Sequence, residues 1–431
     1  LGVHKYSGNN YNPNGHKYIR QFDCETISRT IYRVGGVILS KEKMLVSFEP
    51  RILIKYTLLE AHSPTTIRFK PFLAFRSVNE LTYQNNVANT SYKEVKNGIS
   101  MGLYEGYPEL YMQFSKKNTY FHMPDWYKGI EYTKEQERGF EFKEDLLVPG
   151  YFEMPIKKGD SIIFSGGISE ISPRSLDSLW EKEILHRNHR LDMFTTLKNS
   201  AQQFYKRVGD KTYLLAGYPW FGSRARDEFV SLIPTTLIIG REDYFDTIAQ
   251  TAIEEIEKFL DGAREDFKLE GLEDPDVFLW FIRAVQQYAE FRSPEQAAER
   301  FGDLVIRIIN YIKKQNHPNL FMHNNNLLYV NGTEKPATWM NAVENSHPIT
   351  PRTGYVVEIN ALWYNALKFV STLERLSGKE QSADLLDYQA EIARDSFVKV
   401  FWNGTYLYDY VVDDYRDMEV RSNMIIAAGL P

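Results

Sequence analysis

Cysteine is almost missing from this chain, with Cys24 the single one in 431 residues. That excludes an internal disulfide framework, fits a reducing compartment, and makes a cytoplasmic location the expectation. No apolar run approaches the roughly 18 residues of a membrane-spanning helix, so no membrane is expected as a partner. Basic residues form no long block and the net charge is only −6, which argues against nucleic acid and for a neutral ligand. Also lacking are a GxSxG elbow, a Walker A loop, a GxGxxG turn and an HExxH pair. His186 and His189 stand three apart, a metal-ligand spacing with nothing beside it to complete a site, so neither metal nor cofactor is expected. An initiator Met and a leader-like segment are absent at Leu1.

Aromatic residues, by contrast, are abundant: 28 Tyr, 26 Phe and 7 Trp bring the fraction to 14%. Two features raise it in this way, β-structure and a carbohydrate-binding surface. The chain is longer than one core usually grows, so two domains are expected.

Residues 1–170 read as a β-sandwich. Strand-like runs occur at 51–59, 66–75, 109–114, 150–156 and 160–164, with no convincing helix between them. Lys157-Lys158-Gly159-Asp160 reads as a hairpin turn, and Pro71 marks an edge or a bulge. From Leu176 the period changes to that of helices. The clearest stripe is Phe245, Ile248, Ala249, Ala252, Ile253, Ile256, Phe259 and Leu260. Asp274-Pro275 and Pro294 carry helix-start signals, and further helices fall near 357–376, 381–401 and 420–429. Residues 171–431 therefore read as antiparallel helical hairpins, an α/α toroid with too few hairpins to close a six-hairpin ring.

One run in the helical half stands out. Residues 336–367 read PATWMNAVENSHPITPRTGYVVEINALWYNAL and bring together Trp339, Asn341, Arg352, Glu358, Asn360 and Trp363. Aromatic plates beside carboxylate, guanidinium and amide groups suit a sugar, whose ring stacks and whose hydroxyls are read by hydrogen bonds. The same residues also suit a loop-to-helix junction whose aromatics are core and whose polar groups are caps. A second stretch, AGYPWFGSRARDEF at 216–229, feeds Trp220, Arg226 and Asp227 into a helix start. There Arg and Asp either hold vicinal hydroxyls or complement the helix dipole. Trp280, within DVFLWF, fits a core as well as a site.

Taken together, GYPWFGSRARD, DPDVFLWFIRAV, PATWMNAV, ITPRTGYVVEINALWYNALK and RSNMIIAAGLP resemble the C-terminal glucosidase domain of archaeal and bacterial glycogen debranching enzymes, the amylo-α-1,6-glucosidase type. The strand-rich half resembles the β-sandwich that precedes it. The resemblance implies a glucoamylase-like toroid that hydrolyses α-1,6-linked glucosyl stubs on glycogen or maltodextrin. It also implies that the family's first residues precede Leu1 and that its last helices, with the catalytic base, follow Pro431. Arg226 and Asp227 match the Arg-Asp that lines the glucose pocket, although Arg224-Ala225 replaces the family's Trp-Gly. Trp220, Trp280, Trp339, Arg352, Asn360 and Trp363 complete the expected substrate-binding set. Where the family has its acid, in Thr-Trp-Met-Asp, this chain has Asn341. An amide cannot serve as a general acid at neutral pH, so Glu358 is expected to take that role. The family's Arg-Pro-Asn-Gln becomes Arg421-Ser422-Asn423-Met424.

Overall fold

The strongest periodicity in the sequence forms the helix Glu242–Leu260, which buries Phe245, Ile248, Ala249, Ala252, Ile256 and Phe259 on one face. Burying each of the large side chains contributes about 1.5–3 kcal/mol. Glu242 and Asp243 in its first turn and Lys258 in its last complement the helix dipole. The computed structural model in which this is seen describes every residue from Leu1 to Pro431 except Asn188 and Pro219.

The chain divides into two compact units, Leu1–Asn199 and Ser200–Pro431. The first holds an eight-stranded antiparallel sheet and a three-stranded one. The eight strands run, in spatial order, Ile19–Asp23, Ser28–Val34, Val37–Leu45, Arg51–Glu60, Ser161–Gly167, Leu110–Phe114, Gly98–Met101 and Lys93–Val95. The three are Thr119–Glu131, Lys143–Ile156 and Thr65–Phe69. Phe114 from one sheet meets Phe69 and Phe152 from the other, with ring centroids 5.0 and 4.9 Å apart. These rings sit in a core shared with Leu58, Ile99, Met112, Met154 and Ile162, the packing of two sheets face to face.

Three local expectations change. The turn at 157–160 closes as read, with Gly159 at φ 86°. It joins strands of different sheets, however, and is therefore a corner and not a hairpin. Pro71 lies beyond the end of the strand Thr65–Phe69. The boundary also moves from 170 to 199/200, because the helix Leu176–Leu185 buries Leu176 and Trp180 against Met44, Leu53 and Ile163 of the large sheet and Val46 just beyond it.

The second unit is mainly helical. Val277–Phe291 and Pro294–Lys313 form one antiparallel hairpin, and Val357–Leu376 and Glu380–Phe401 another, as expected for an α/α toroid. Ser293 caps the second helix of the first pair, its side chain accepting the Gln296 N–H at 3.2 Å. Among the described residues no helix is long and apolar enough to cross a membrane.

The non-helical stretch before Val357 carries the part of the fold that positions the site. Phe321–Met322, Leu328–Val330 and Gly354–Val356 join Tyr410–Val412 and Tyr415–Arg416 in a five-stranded antiparallel sheet. Its register pairs Tyr355 with Val411 and Val356 with Tyr410. That pairing sets Asp409 beside the start of the Val357 helix, where the Val357 N–H donates to the Asp409 carbonyl at 3.1 Å. Gly354 permits the approach: its φ is 107°, and a Cβ there would lie 2.2 Å from the Val411 carbonyl oxygen.

Candidate active site

Two buried ionic networks in the second unit draw the five matching motifs together. In the first, the Arg226 guanidinium forks onto Asp276, from Nε at 2.8 Å and from Nη2 at 2.9 Å, and reaches Asp274 at 2.8 Å. Asp276 also accepts the Trp280 indole N–H at 3.1 Å. Asp274 lies 3.6 Å from Lys335, whose main bond is to Glu273 at 2.8 Å. Lys335 directly precedes the Pro336 run, so the 226, 276 and 336 motifs converge here. Burial pushes the Asp274 carboxyl up, against the pull of Arg226.

The second network underlies the 336–367 run. The two terminal nitrogens of Arg352 grip the two oxygens of Glu358, Nη2 at 2.7 Å from Oε2. Nη2 also reaches Asp409 at 2.9 Å, and Nη1 reaches the Thr338 hydroxyl at 3.1 Å. Asp409 then accepts from Arg421 at 2.9 Å and from the Asn423 amide at 2.7 Å. Arg421 bridges on to Asp417 at 2.9 Å. Asn423 in turn accepts the Trp339 indole N–H at 2.8 Å. Apart from the neutral Trp339–Asn423 bond, these are charge-assisted bonds among largely buried groups, strong only while every partner is present.

The structure separates the expected site residues into those that reach the surface and those that do not. Trp220 and Trp339 are 63% and 46% exposed, enough to offer a ring face, and Asp227 and Asn341 are exposed as well. Pro219, next to Trp220, lies outside the described residues. Arg226 turns inward onto Asp274 and Asp276, which leaves Asp227 to face solvent without it. The expected Arg-Asp clamp on vicinal hydroxyls is therefore not formed. Trp280 is half-buried and packs on the helical core.

Four assignments change because of burial. Trp363 is fully buried with its indole on the Asn326 carbonyl at 3.0 Å. Asn360 is likewise buried, its amide exchanging bonds with Leu328 N–H and C=O at 2.7 and 3.0 Å, so it staples helix to strand. Glu358, expected as the acid, has no exposure and is held by Arg352. Burial pushes its carboxyl up and Arg352 opposes that, but a group sealed from solvent and gripped at both oxygens has no path to a substrate oxygen. Arg352 is the matching anchor, 2% exposed.

Asp409 and Asp417 were not legible as site residues, since no motif surrounds them. The only cue is that Asp409 precedes the short run Tyr410-Val411-Val412, which pairs with the strand ending at Val356.

Glu228, next to Asp227, is fully buried with its carboxylate accepting the Leu214 N–H at 2.8 Å. Its other oxygen and the buried Thr212 hydroxyl have no partner. Burial, helped by the nearby Glu255 charge, pushes the Glu228 carboxyl up to about 8. A carboxyl raised in the folded state is protonated in both states at low pH and must ionise in the interior at high pH, so folding weakens as pH rises from about 4.5 toward 8. Glu228→Gln is expected to melt above the wild type by a margin that widens from pH 5 to pH 8.5, measured by calorimetry or circular dichroism.

Set beside known proteins, the chain matches the family model described as glycogen debranching enzyme N terminal over residues 1–163 and the one described as amylo-alpha-1,6-glucosidase over residues 199–431. No curated protein matches it. Among solved structures it is similar to a bacterial glucoamylase complexed with acarbose, at 10% identity and a TM-score of 0.48. That likeness covers 97% of this chain and 65% of the glucoamylase chain, so the chain spans less than two thirds of that protein's length.

Proposed function

Because the chain belongs to the amylo-alpha-1,6-glucosidase family, we propose that it acts on α-glucans as a debranching glycoside hydrolase, removing glucosyl stubs joined through α-1,6 bonds in glycogen or maltodextrin. The observation that carries this reading is Trp339. It is an open indole on the family-matching loop, two residues from the exposed Asn341, hung from buried polar groups and not buried itself. In this reading Trp339 and Trp220 supply plates for pyranose faces and Asp227 accepts from sugar hydroxyls.

Inversion at the anomeric carbon needs an acid and a base whose carboxyls stand about 6.5–9.5 Å apart. Asn341 occupies the acid's position without a proton to give, and Glu358 is spent on Arg352. Hydrolysis is then limited by protonation of the leaving oxygen, while sugar recognition is intact. The same Asn341 favours a second reading, an α-glucan-binding relative that has lost turnover.

Glucose release from an α-1,6-branched limit dextrin separates the two. Slow release is expected from the full-length protein, falling by about tenfold or more in Trp339→Ala as a stacking plate is lost. No release together with intact dextrin binding by calorimetry would replace hydrolysis with binding.

A further inference from the structure

Three consecutive residues of the Trp339 loop hang from one interior group. The Thr338 hydroxyl accepts a hydrogen bond from Arg352 at 3.1 Å, the Trp339 indole donates to Asn423 at 2.8 Å, and the Met340 sulfur lies 3.3 Å from the Asn423 amide nitrogen. Arg352 and Asn423 both end on the same oxygen of Asp409, at 2.9 and 2.7 Å. Asp409 and Asn423 are fully buried, while the indole they lead to is 46% exposed.

An amide has one accepting end and one donating end, and its orientation decides what it can hold. Here Asp409 settles the matter. A carboxylate accepts only, so the Asn423 nitrogen must face it and the Asn423 oxygen is left to face the indole N–H. Reversal would set oxygen against oxygen at Asp409 and N–H against N–H at Trp339. Arg421 and Arg352 fix Asp409 from its other sides, so the carboxylate has no freedom to follow a rotated amide. A large ring that would otherwise sample several rotamers is thereby fixed at its nitrogen edge while nearly half of the residue stays exposed.

We propose that Asp409 and Asn423 are positioning residues that hold the Trp339 indole, and with it the turn bearing Asn341, in the orientation that receives the sugar. The proposal rests on the reading of Trp339 as the sugar plate. Its consequence is preorganisation: the ordering cost of the ring is met on folding and not on binding.

The test is a double-mutant cycle between Trp339→Phe, which keeps a plate but removes the N–H, and Asn423→Leu, which keeps the volume but removes the acceptor. Affinity for a maltooligosaccharide is measured by calorimetry on the whole chain, and KM and kcat for limit dextrin beside it. Each single variant is expected to weaken binding about three- to tenfold, the worth of one neutral hydrogen bond. The double variant should be no weaker than the weaker single, because both remove the same bond. KM should rise by the same factor with kcat held within about twofold. Effects that multiply, or an Asn423→Leu protein that binds as the wild type does, would overturn the proposal. If Asn423→Leu does not fold, Trp339→Phe alone decides, since wild-type affinity without the N–H leaves the clamp without a role. Unchanged binding by Trp339→Ala would instead remove the sugar plate itself, and the positioning role with it.

Discussion

Replacing Arg352 with methionine is expected to cost about 3–5 kcal/mol of folding stability, the usual penalty when a buried ion pair loses one partner. The reason lies in what remains. Glu358 would keep its carboxylate with no exposure and no cation, and Asp409 would keep only Arg421 and Asn423. Methionine fills much of the stem's volume, so the loss measured by urea denaturation is electrostatic and not a cavity effect. The slope of free energy on urea should stay the same while the midpoint falls. Pairing Arg352→Met with Glu358→Leu should restore most of the loss, because an apolar pair is tolerated where half an ion pair is not. A single-variant cost under about 1 kcal/mol would mean that the network behaves as a surface ion pair.

The second large effect concerns chemistry. Asn341→Asp is expected to raise glucose release from branched limit dextrin by about 10²–10⁴, the contribution of a positioned general acid. Asn341 is exposed on the surface turn that follows Trp339, its N–H on the Trp339 carbonyl at 2.9 Å, so an Asp there costs nothing in burial. The gain should appear in kcat, since the change supplies a proton in the transition state and leaves recognition alone. A pH profile gaining an alkaline limb in the variant, the rate falling as that carboxyl loses its proton, would assign the effect to it. An unchanged rate would mean that protonation is not the limiting step.

How much of this was readable in the sequence follows from the range of each interaction. The helix Glu242–Leu260 was legible residue by residue because its stripe is local and its buried face is the one the period marks. The edge strand Ile19–Asp23 was not, because four of its five residues are exposed and no apolar face alternates along it. The turn at 157–160 has clear local chemistry, but whether it makes a hairpin or a corner depends on which sheet each flanking strand joins. Within the site, composition marked the right stretch and misplaced the roles. Trp339 and Trp363 are the same residue type in one run, yet one is open and the other sealed, and only the face of the Val357–Leu376 helix decides between them. Glu358 looked free to react because the residue that occupies it, Arg352, is brought back by a loop. Asp409, the hub of the network, arrives by pairing strands more than 50 residues apart in sequence.

Proton NMR of limit dextrin incubated with the full-length protein separates inverting hydrolysis from binding alone, because it reports both whether an α-1,6 stub is released and which anomer appears first. Slow appearance of β-glucose is expected from the full-length protein, and faster appearance of the same anomer from its Asn341→Asp variant. Glucose absent from both, or α-glucose as the first product, would contradict that expectation.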